Sequence, residues 1–137
     1  MGSEYFQLIE YVHESAKEDL KNIASKYWPG ALTMVIPCSK KETKTLTSRN
    51  FTLGLRIPNS YMAQSLMKET GPLLTSSANI SGSAGSITAE GIALEFPSVD
   101  ILGPVPWETC SGKASTIISW EKAGNWGLIR QGEVLIK

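Results

Sequence analysis

The chain has 137 residues, of which 42% are apolar and 19% are charged, values typical of a globular protein rather than a disordered one. This length suffices for a buried core, so we expect residues 1–137 to form a single domain. Lys plus Arg and Asp plus Glu both number 13, which leaves no net charge to favour broad binding to nucleic acids or membranes. Because no apolar run approaches the roughly 20 residues of a transmembrane helix, we expect a cytoplasmic protein without membrane contact.

The first predicted element is an amphipathic helix over residues 4–26, where apolar residues recur at spacings of three and four. The Trp-Pro-Gly sequence at 28–30 ends it, since the residue before proline avoids helical backbone angles. The only histidine, His13, lies beside the apolar stripe, and we expect it at the surface rather than in a catalytic role. Residues 31–37 follow as a buried strand.

The middle of the chain predicts a strand, a helix and a second strand that opens into a loop. A charged segment at 39–44 precedes a strand at 52–57, and Ser60 is placed to cap a helix that ends near residue 69. An apolar strand then begins after residue 72 and ends in a loop rich in Ser, Asn and Gly, through Gly82. Such a loop can bring polar side chains and backbone close to a ligand.

The last third predicts a helix and more strands. Thr88 is a candidate N-cap for a helix to about residue 96, and residues 99–102 read as a short strand. Residues 115–120 and 126–130 form a predicted hairpin, and residues 134–137 a final strand. About six strands and three helices indicate an α/β fold with a twisted mixed sheet and flanking helices.

Covalent and metal-based catalysis find little support in the sequence. There is one histidine, no GxSxG turn, no Walker-type or GxGxxG glycine loop, and the acidic residues are scattered. Cys38 and Cys110 are too few and too far apart for a zinc site, and we expect both to be reduced, buried thiols.

What remains is a set of hydroxyls, one amide and two strand-end arginines, which suits binding a carboxylate beside a phosphate. Catalysis would then proceed by positioning and charge stabilisation. Each residue also has a structural alternative. Arg56 and Arg130 can be surface ion-pair partners, and Ser77, Asn79 and Ser115 can be turn residues that satisfy the backbone.

Six ordered segments resemble the YrdC-type domain of threonylcarbamoyl-adenylate synthases. They are WPGALT at 28–33, LRIP at 55–58, GPL at 71–73, TSSANISG at 75–82, STII at 115–118 and IRQG at 129–132. The resemblance covers about residues 20–132. It implies an enzyme that joins L-threonine, bicarbonate and ATP, with Mg²⁺, into threonylcarbamoyl-AMP and pyrophosphate.

The resemblance also implies partners and site residues. A transferase complex moves the threonylcarbamoyl group to adenosine 37 of tRNA, and the family's positively charged groove is linked to double-stranded RNA. The residues matching the family's threonine site are Arg56, Ser77 and Ser115, and those matching its nucleotide site are Thr52, Asn79 and Arg130. Ser86 or Thr88 is a further nucleotide contact by looser spacing. Lys40, Lys41, Lys44 and Arg49 are the candidates for RNA contact.

The chain departs from the family pattern at its N-terminal side. The family's P-T-D-T-x-Y-G-L strand and K-x-R segment have no counterpart, so we expect the C-terminal two-thirds of a YrdC-like domain without its first strands. Three consequences stay open: a chain with weak or no synthase activity, an enzyme completed by a second chain, or a nucleotide- or RNA-binding module without turnover. An exposed sheet edge would favour self-association.

Overall fold

The computed structural model describes residues 1–38 and 51–136. They fall into two compact units, the first formed by Met1–Leu73 with Ala114–Lys137 and the second by Leu74–Lys113. The expectation of a single domain over residues 1–137 stays a prediction. The charged segment at 39–44, like the four basic candidates for RNA contact, lies outside the described residues.

The first unit is built on a mixed four-stranded sheet. Its strands are β1 (Leu32–Pro37), β2 (Thr52–Leu55), β3 (Thr116–Lys122) and β4 (Asn125–Arg130), in the order β2-β1-β3-β4. β1 pairs antiparallel with β2 and parallel with β3, and β3 and β4 form the predicted antiparallel hairpin. The predicted α/β class with a mixed sheet is therefore confirmed.

The N-terminal helix is interrupted, which the sequence periodicity did not predict. The structure has α1 (Tyr5–Ile9), a 3₁₀ helix (Glu14–Ala16) and α2 (Lys17–Tyr27) in place of one helix over 4–26. Val12 forms an antiparallel bridge with Cys38, and the His13 N–H donates to the Pro37 carbonyl at 2.8 Å. These bonds to the end of β1 require extended backbone between the helices. His13 is exposed, as predicted.

The core lies on one face of this sheet. Along β1, Leu32, Met34 and Ile36 are fully buried, whereas the residues between them are only half-buried. The buried side chains pack against apolar residues of the N-terminal helices, among them Leu8 and Leu20. Because side chains alternate along a strand, the helices cover one face and leave the other more accessible.

An aspartate joins α2 to the hairpin. The Asp19 carboxylate accepts the indole N–H of Trp120 at 2.7 Å and the backbone N–H of Gly124 at 2.9 Å. Gly124 has a positive φ of 73°, a conformation that favours glycine in this tight turn. The hairpin is thereby fixed at both its middle and its tip.

The other two helices begin where the sequence predicts. The Ser60 hydroxyl accepts from the Ala63 N–H at the start of α3 (Tyr61–Thr70). The Thr88 hydroxyl accepts from the Gly91 N–H at the start of α4 (Ala89–Glu95), which lies in the second unit. Both are standard side-chain caps that satisfy an otherwise unpaired N–H group.

Three predicted strands are absent from the described residues: those after residue 72, at 99–102 and at 134–137, of which residues 134–136 are described. Leu74 is 67% exposed, and Val99 is instead bonded in a turn to Phe96. Val134 is bound by the side chain of Thr116 rather than by a neighbouring strand. Leu73 exchanges hydrogen bonds with the Met1 backbone at 2.9 and 2.7 Å, but no strand forms there, so apolar composition and one paired residue do not suffice for a strand.

Both cysteines are free, as predicted. Cys38 is half-buried, but Cys110 is exposed, so the prediction of a buried thiol is wrong at that position. Its surroundings at 107–113 are irregular chain. In the described part of the chain, no helix is both long enough and apolar enough to cross a bilayer.

Replacing Leu20 with alanine tests the one-sided core. Leu20 is fully buried, so we expect the free energy of unfolding in urea to fall by about 2–5 kcal/mol. Lys21→Ala on the same helix changes an exposed residue and should alter it by less than about 0.5 kcal/mol. Similar small losses in both variants would contradict the assigned core.

Candidate functional site

Several polar side chains of the first unit lie on the accessible face of the sheet. Thr33 lies between the buried Leu32 and Met34 and is half-buried on the opposite face. On β3, Thr116 and Ile118 face the core, so Ser115 points to the same side as Thr33. Two hydroxyls from different strands therefore meet on one surface.

The contacts join three of these side chains into a cluster. The Thr33 and Ser115 hydroxyl oxygens are 3.0 Å apart. Arg130 follows on β4, and its Nη2 donates to the Ser115 carbonyl at 2.8 Å and to the Ser115 hydroxyl at 3.3 Å, while Nε donates to the same carbonyl at 3.2 Å. Ser115 and Arg130, predicted from the sequence, are thus in direct contact.

Arg56 lies at the same end of the sheet. The register pairs Met34 with Leu55, so the next residue along β2 comes beside Thr33. The Arg56 Nε donates to the Gly30 carbonyl at 2.9 Å, and the Gly30 N–H donates to the Ile57 carbonyl at 2.9 Å. These two hydrogen bonds hold the Trp-Pro-Gly segment beside the Leu-Arg-Ile-Pro segment.

Burial changes the electrostatics of Arg56. Partial removal from water lowers the pKa of its guanidinium group, and the nearby Glu133 carboxylate opposes this by raising it. The ordinary arginine pKa is so high that the side chain remains cationic at neutral pH. Arg56 is therefore a half-buried positive charge.

The buried Thr116 hydroxyl fixes the segment that follows β4. It donates to the Val134 carbonyl at 2.6 Å and accepts from the backbone N–H groups of Gly132 at 2.9 Å and Val134 at 3.1 Å. The Gln131 amide adds a bond at 3.4 Å. One hydroxyl thus makes hydrogen bonds to several backbone groups, which explains why a threonine follows Ser115 in the motif.

Close backbone approach accounts for the glycine two residues after Arg130. A Cβ atom at Gly132 would overlap the backbone of Ala114, Ser115 and Thr116. Only glycine allows the chain to pass so near to the start of β3. The Arg-x-Gly and Ser-Thr motifs are therefore two sides of one contact.

Thr52 lies apart from this cluster. It pairs with Pro37 at the opposite end of β2 from Arg56. At the usual rise per residue of a strand, the two positions are separated by roughly 13 Å. The structure does not bring Thr52 to Ser115 and Arg130, and its predicted contact with the nucleotide stays a prediction.

Ser77 and Asn79 belong to the second unit. The Asn79 side-chain amide donates to the carbonyls of Ile80 and Ser83, both at 3.0 Å, and the Ile80 N–H donates to the Glu95 carboxylate at 3.1 Å. Asn79 thus acts here as a turn residue, the structural alternative. Ser77 is exposed. The predicted ligand contacts of both residues stay predictions.

Ser86 and Thr88 lie at the N-terminal end of α4. The Ser86 hydroxyl donates to the Thr88 carbonyl and accepts from the Thr88 N–H, each at 3.3 Å. The Thr88 hydroxyl caps the helix, so both side chains have structural partners. Their suggested contact with the nucleotide stays a prediction.

Sequence reasoning placed Thr33 in a motif but not in the site. The sequence pattern could have predicted its place, because Leu32 and Met34 flank Thr33 in an apolar strand and alternation puts Thr33 on the other face.

The Sua5/YciO/YrdC family model, described as telomere recombination, matches residues 1–132. The chain therefore belongs to the Sua5/YciO/YrdC family. The threonylcarbamoyl-AMP synthase of Idiomarina loihiensis is 32% identical over 103 residues, which are 73% of this chain and 55% of that protein. The synthase of Bacillus subtilis is 35% identical over 80 residues, 57% of this chain and 23% of that protein.

Solved structures support the same family. P. abyssi Sua5 complexed with L-threonine matches with a TM-score of 0.81 and 29% identity, over 96% of this chain and 38% of that one. The chain spans about half the length of the Idiomarina relative and less of the other two. The family prediction made from the six segments is confirmed.

Substituting Thr116 tests the contacts that hold residues 131–134 against the start of β3. Thr116→Val leaves two partly buried N–H groups without their acceptor, and we expect the free energy of unfolding to fall by about 1–3 kcal/mol in urea. Thr116→Ser keeps the hydroxyl and should lose less. Ser119→Ala on the same strand removes one weak bond of 3.4 Å and serves as control. A valine variant as stable as the wild type would contradict the assigned role.

Proposed function

We propose that this chain provides threonine- and nucleotide-binding groups of a threonylcarbamoyl-AMP synthase, which forms threonylcarbamoyl-AMP and pyrophosphate from L-threonine, bicarbonate and ATP. The observation that carries the proposal is the meeting of Thr33, Ser115 and Arg130, with Arg56 beside them, on the accessible face of the sheet. The threonine bound in P. abyssi Sua5 adds support.

Arg56 is the proposed partner of the threonine carboxylate. Its Nε bond to Gly30 orients the guanidinium plane, so the two Nη groups are the part that a carboxylate would meet. A forked donor of this kind binds a carboxylate through two parallel hydrogen bonds. Ser115, with Thr33 beside it, would offer hydroxyls to the polar groups of threonine, and Ser77 is a further proposed contact.

Arg130 is the proposed partner of the ATP phosphates. It is exposed, and its described bonds go to the neutral carbonyl and hydroxyl of Ser115, which leave its charge uncompensated by those contacts. Guanidinium groups bind phosphate oxygens well for the same geometric reason. Thr52 and Asn79 are further proposed contacts of the nucleotide.

Mg²⁺ is proposed to enter with ATP. No group of three or more His, Cys, Asp or Glu side chains within residues 1–38 and 51–136 is placed to hold a metal ion. Mg²⁺ in nucleotide sites is commonly bound through the phosphates and water with few protein ligands. The chain's part is then to bind the nucleotide through Arg130.

The remaining partners follow from the proposed product. Threonylcarbamoyl-AMP would be passed to a transferase complex that modifies adenosine 37 of tRNA. Direct binding of tRNA or double-stranded RNA stays a prediction, and so does the cytoplasmic location. Self-association also stays a prediction; β2 and β4 are the outer strands of the sheet among the described residues.

Separate titrations with L-threonine and ATP test the two arginine roles. We expect Arg56→Ala to weaken threonine binding about tenfold or more, with a smaller effect on ATP, because a charged hydrogen-bond pair is lost. Arg130→Ala should show the reverse preference. Isothermal titration calorimetry measures both affinities, and Lys26→Ala, an exposed residue of α2, is the charge-loss control. Unchanged affinities in both arginine variants would refute the assignments.

Turnover is tested by pyrophosphate release. We expect release that requires ATP, L-threonine and bicarbonate together and falls when Arg56 or Arg130 is replaced by alanine. The Idiomarina loihiensis relative in the same assay serves as the positive control. If both ligands bind but no pyrophosphate forms, the chain is a binding module without turnover, and the synthase proposal fails.

A further inference from the structure

The Thr33 and Ser115 hydroxyls form a hydrogen-bonded pair in which the donor is set by a third side chain. Their oxygens are 3.0 Å apart, and at that distance either hydroxyl can donate. Arg130 Nη2 donates to the Ser115 hydroxyl oxygen at 3.3 Å, and a guanidinium group has donors only. The Ser115 oxygen is therefore the acceptor of the bond from Arg130, and its own proton points elsewhere.

The bond from Arg130 favours a chain of donors that runs from the arginine through Ser115 to Thr33. A hydroxyl that accepts a bond from a cation is polarised and becomes a stronger donor itself. The other arrangement, in which Arg130 and Thr33 both donate to the Ser115 oxygen, lacks this cooperative strengthening. With Ser115 as donor to Thr33, the Thr33 proton points away from Ser115.

The Thr33 hydroxyl is placed to meet a ligand. Thr33 is half-buried on the accessible face of the sheet, between two residues that face the core. Within residues 1–38 and 51–136, Ser115 is the one hydrogen-bond partner of the Thr33 side chain. The Thr33 proton is therefore a donor that a ligand acceptor can use.

We propose that Thr33 is a specificity-determining residue, whose hydroxyl donates to the side-chain hydroxyl oxygen of L-threonine. The inference rests on the proposed binding of the threonine carboxylate by Arg56, which lies beside Thr33. Threonine has two acceptor groups, its carboxylate and its hydroxyl, because its ammonium group only donates. With the carboxylate oxygens bound by the two Nη groups of Arg56, the hydroxyl is the acceptor that remains for Thr33.

This contact would make the site selective for a hydroxylated amino acid. A site that bonds to a ligand hydroxyl discriminates against the analogue without it, since the polar group of the protein then loses its partner. Ser115 and Arg130 would be positioning residues for this contact, because their hydrogen bonds turn the Thr33 proton towards the ligand.

The first test combines a variant of Thr33 with a ligand that lacks the hydroxyl. L-2-Aminobutyrate is threonine with hydrogen in place of the hydroxyl group. By calorimetric titration, we expect Thr33→Val to weaken L-threonine binding about three- to tenfold and to change L-2-aminobutyrate binding by less than about twofold. Thr33→Ser keeps the donor and should bind threonine within about twofold of the wild type.

A matched control makes the same chemical change elsewhere. Thr70→Val alters an exposed residue of α3 and should change neither affinity. Equal losses for both ligands in Thr33→Val would overturn the inference, because the hydroxyl of the ligand would not be the group that is bound. Unchanged threonine binding in that variant would overturn it as well. A residue that only supports the strand would not produce a loss confined to the hydroxylated ligand.

A second measurement separates this inference from the proposed function. The unfolding constants of wild type, Thr33→Val, Ser115→Ala and the double variant form a double-mutant cycle in urea that requires no ligand. We expect the effect of Thr33→Val to be about two- to fivefold smaller when Ser115 is alanine, since the bond between the two hydroxyls is then already lost. Additive effects would overturn the pairing and the inference with it.

The two experiments also distinguish which proposal fails. If the wild type binds threonine but Thr33→Val weakens both ligands equally, the inference fails and the proposed binding of threonine stands. If the wild type does not bind threonine, the proposed function fails and the selection for a hydroxyl fails with it, whereas a non-additive cycle still establishes the pair of hydroxyls.

Discussion

The one-sided burial of β1 is the constraint on which the rest of the first unit depends. Leu32, Met34 and Ile36 must face the helices to remove their apolar surface from water, and this fixes Thr33 on the other face. Because the neighbouring strands pair in register with β1, their polar residues follow the same alternation. The packing of the core therefore determines where the hydroxyls meet.

A second constraint holds the segment after β4 against the beginning of β3. Thr116 supplies the hydrogen bonds, and the missing side chain of Gly132 leaves space for the close approach. Arg130 and Ser115 are their immediate neighbours in sequence. Motifs that look functional in the sequence thus contain two kinds of residue: those that present groups at the surface and those that hold the backbone beneath them.

The sequence predicts elements that depend on local patterns better than elements that depend on contacts between distant residues. The hairpin, β1 and the caps at Ser60 and Thr88 follow from local patterns and were found. The break before α2 was missed, because it depends on the bonds of His13 and Val12 to residues 25 or so positions later. The hydrogen bonds of Thr116 to residues 132 and 134 were missed for a similar reason, since they join separate segments of the chain.

The two arginines show why position in the fold matters more than residue type. Arg56 is partly withdrawn from water, and its Nε is oriented by the Gly30 carbonyl. Arg130 is exposed, and its described bonds go to the neutral carbonyl and hydroxyl oxygens of Ser115. Two side chains of the same type at one end of the sheet therefore differ in exposure and in hydrogen-bond partners, because the backbone around each of them differs.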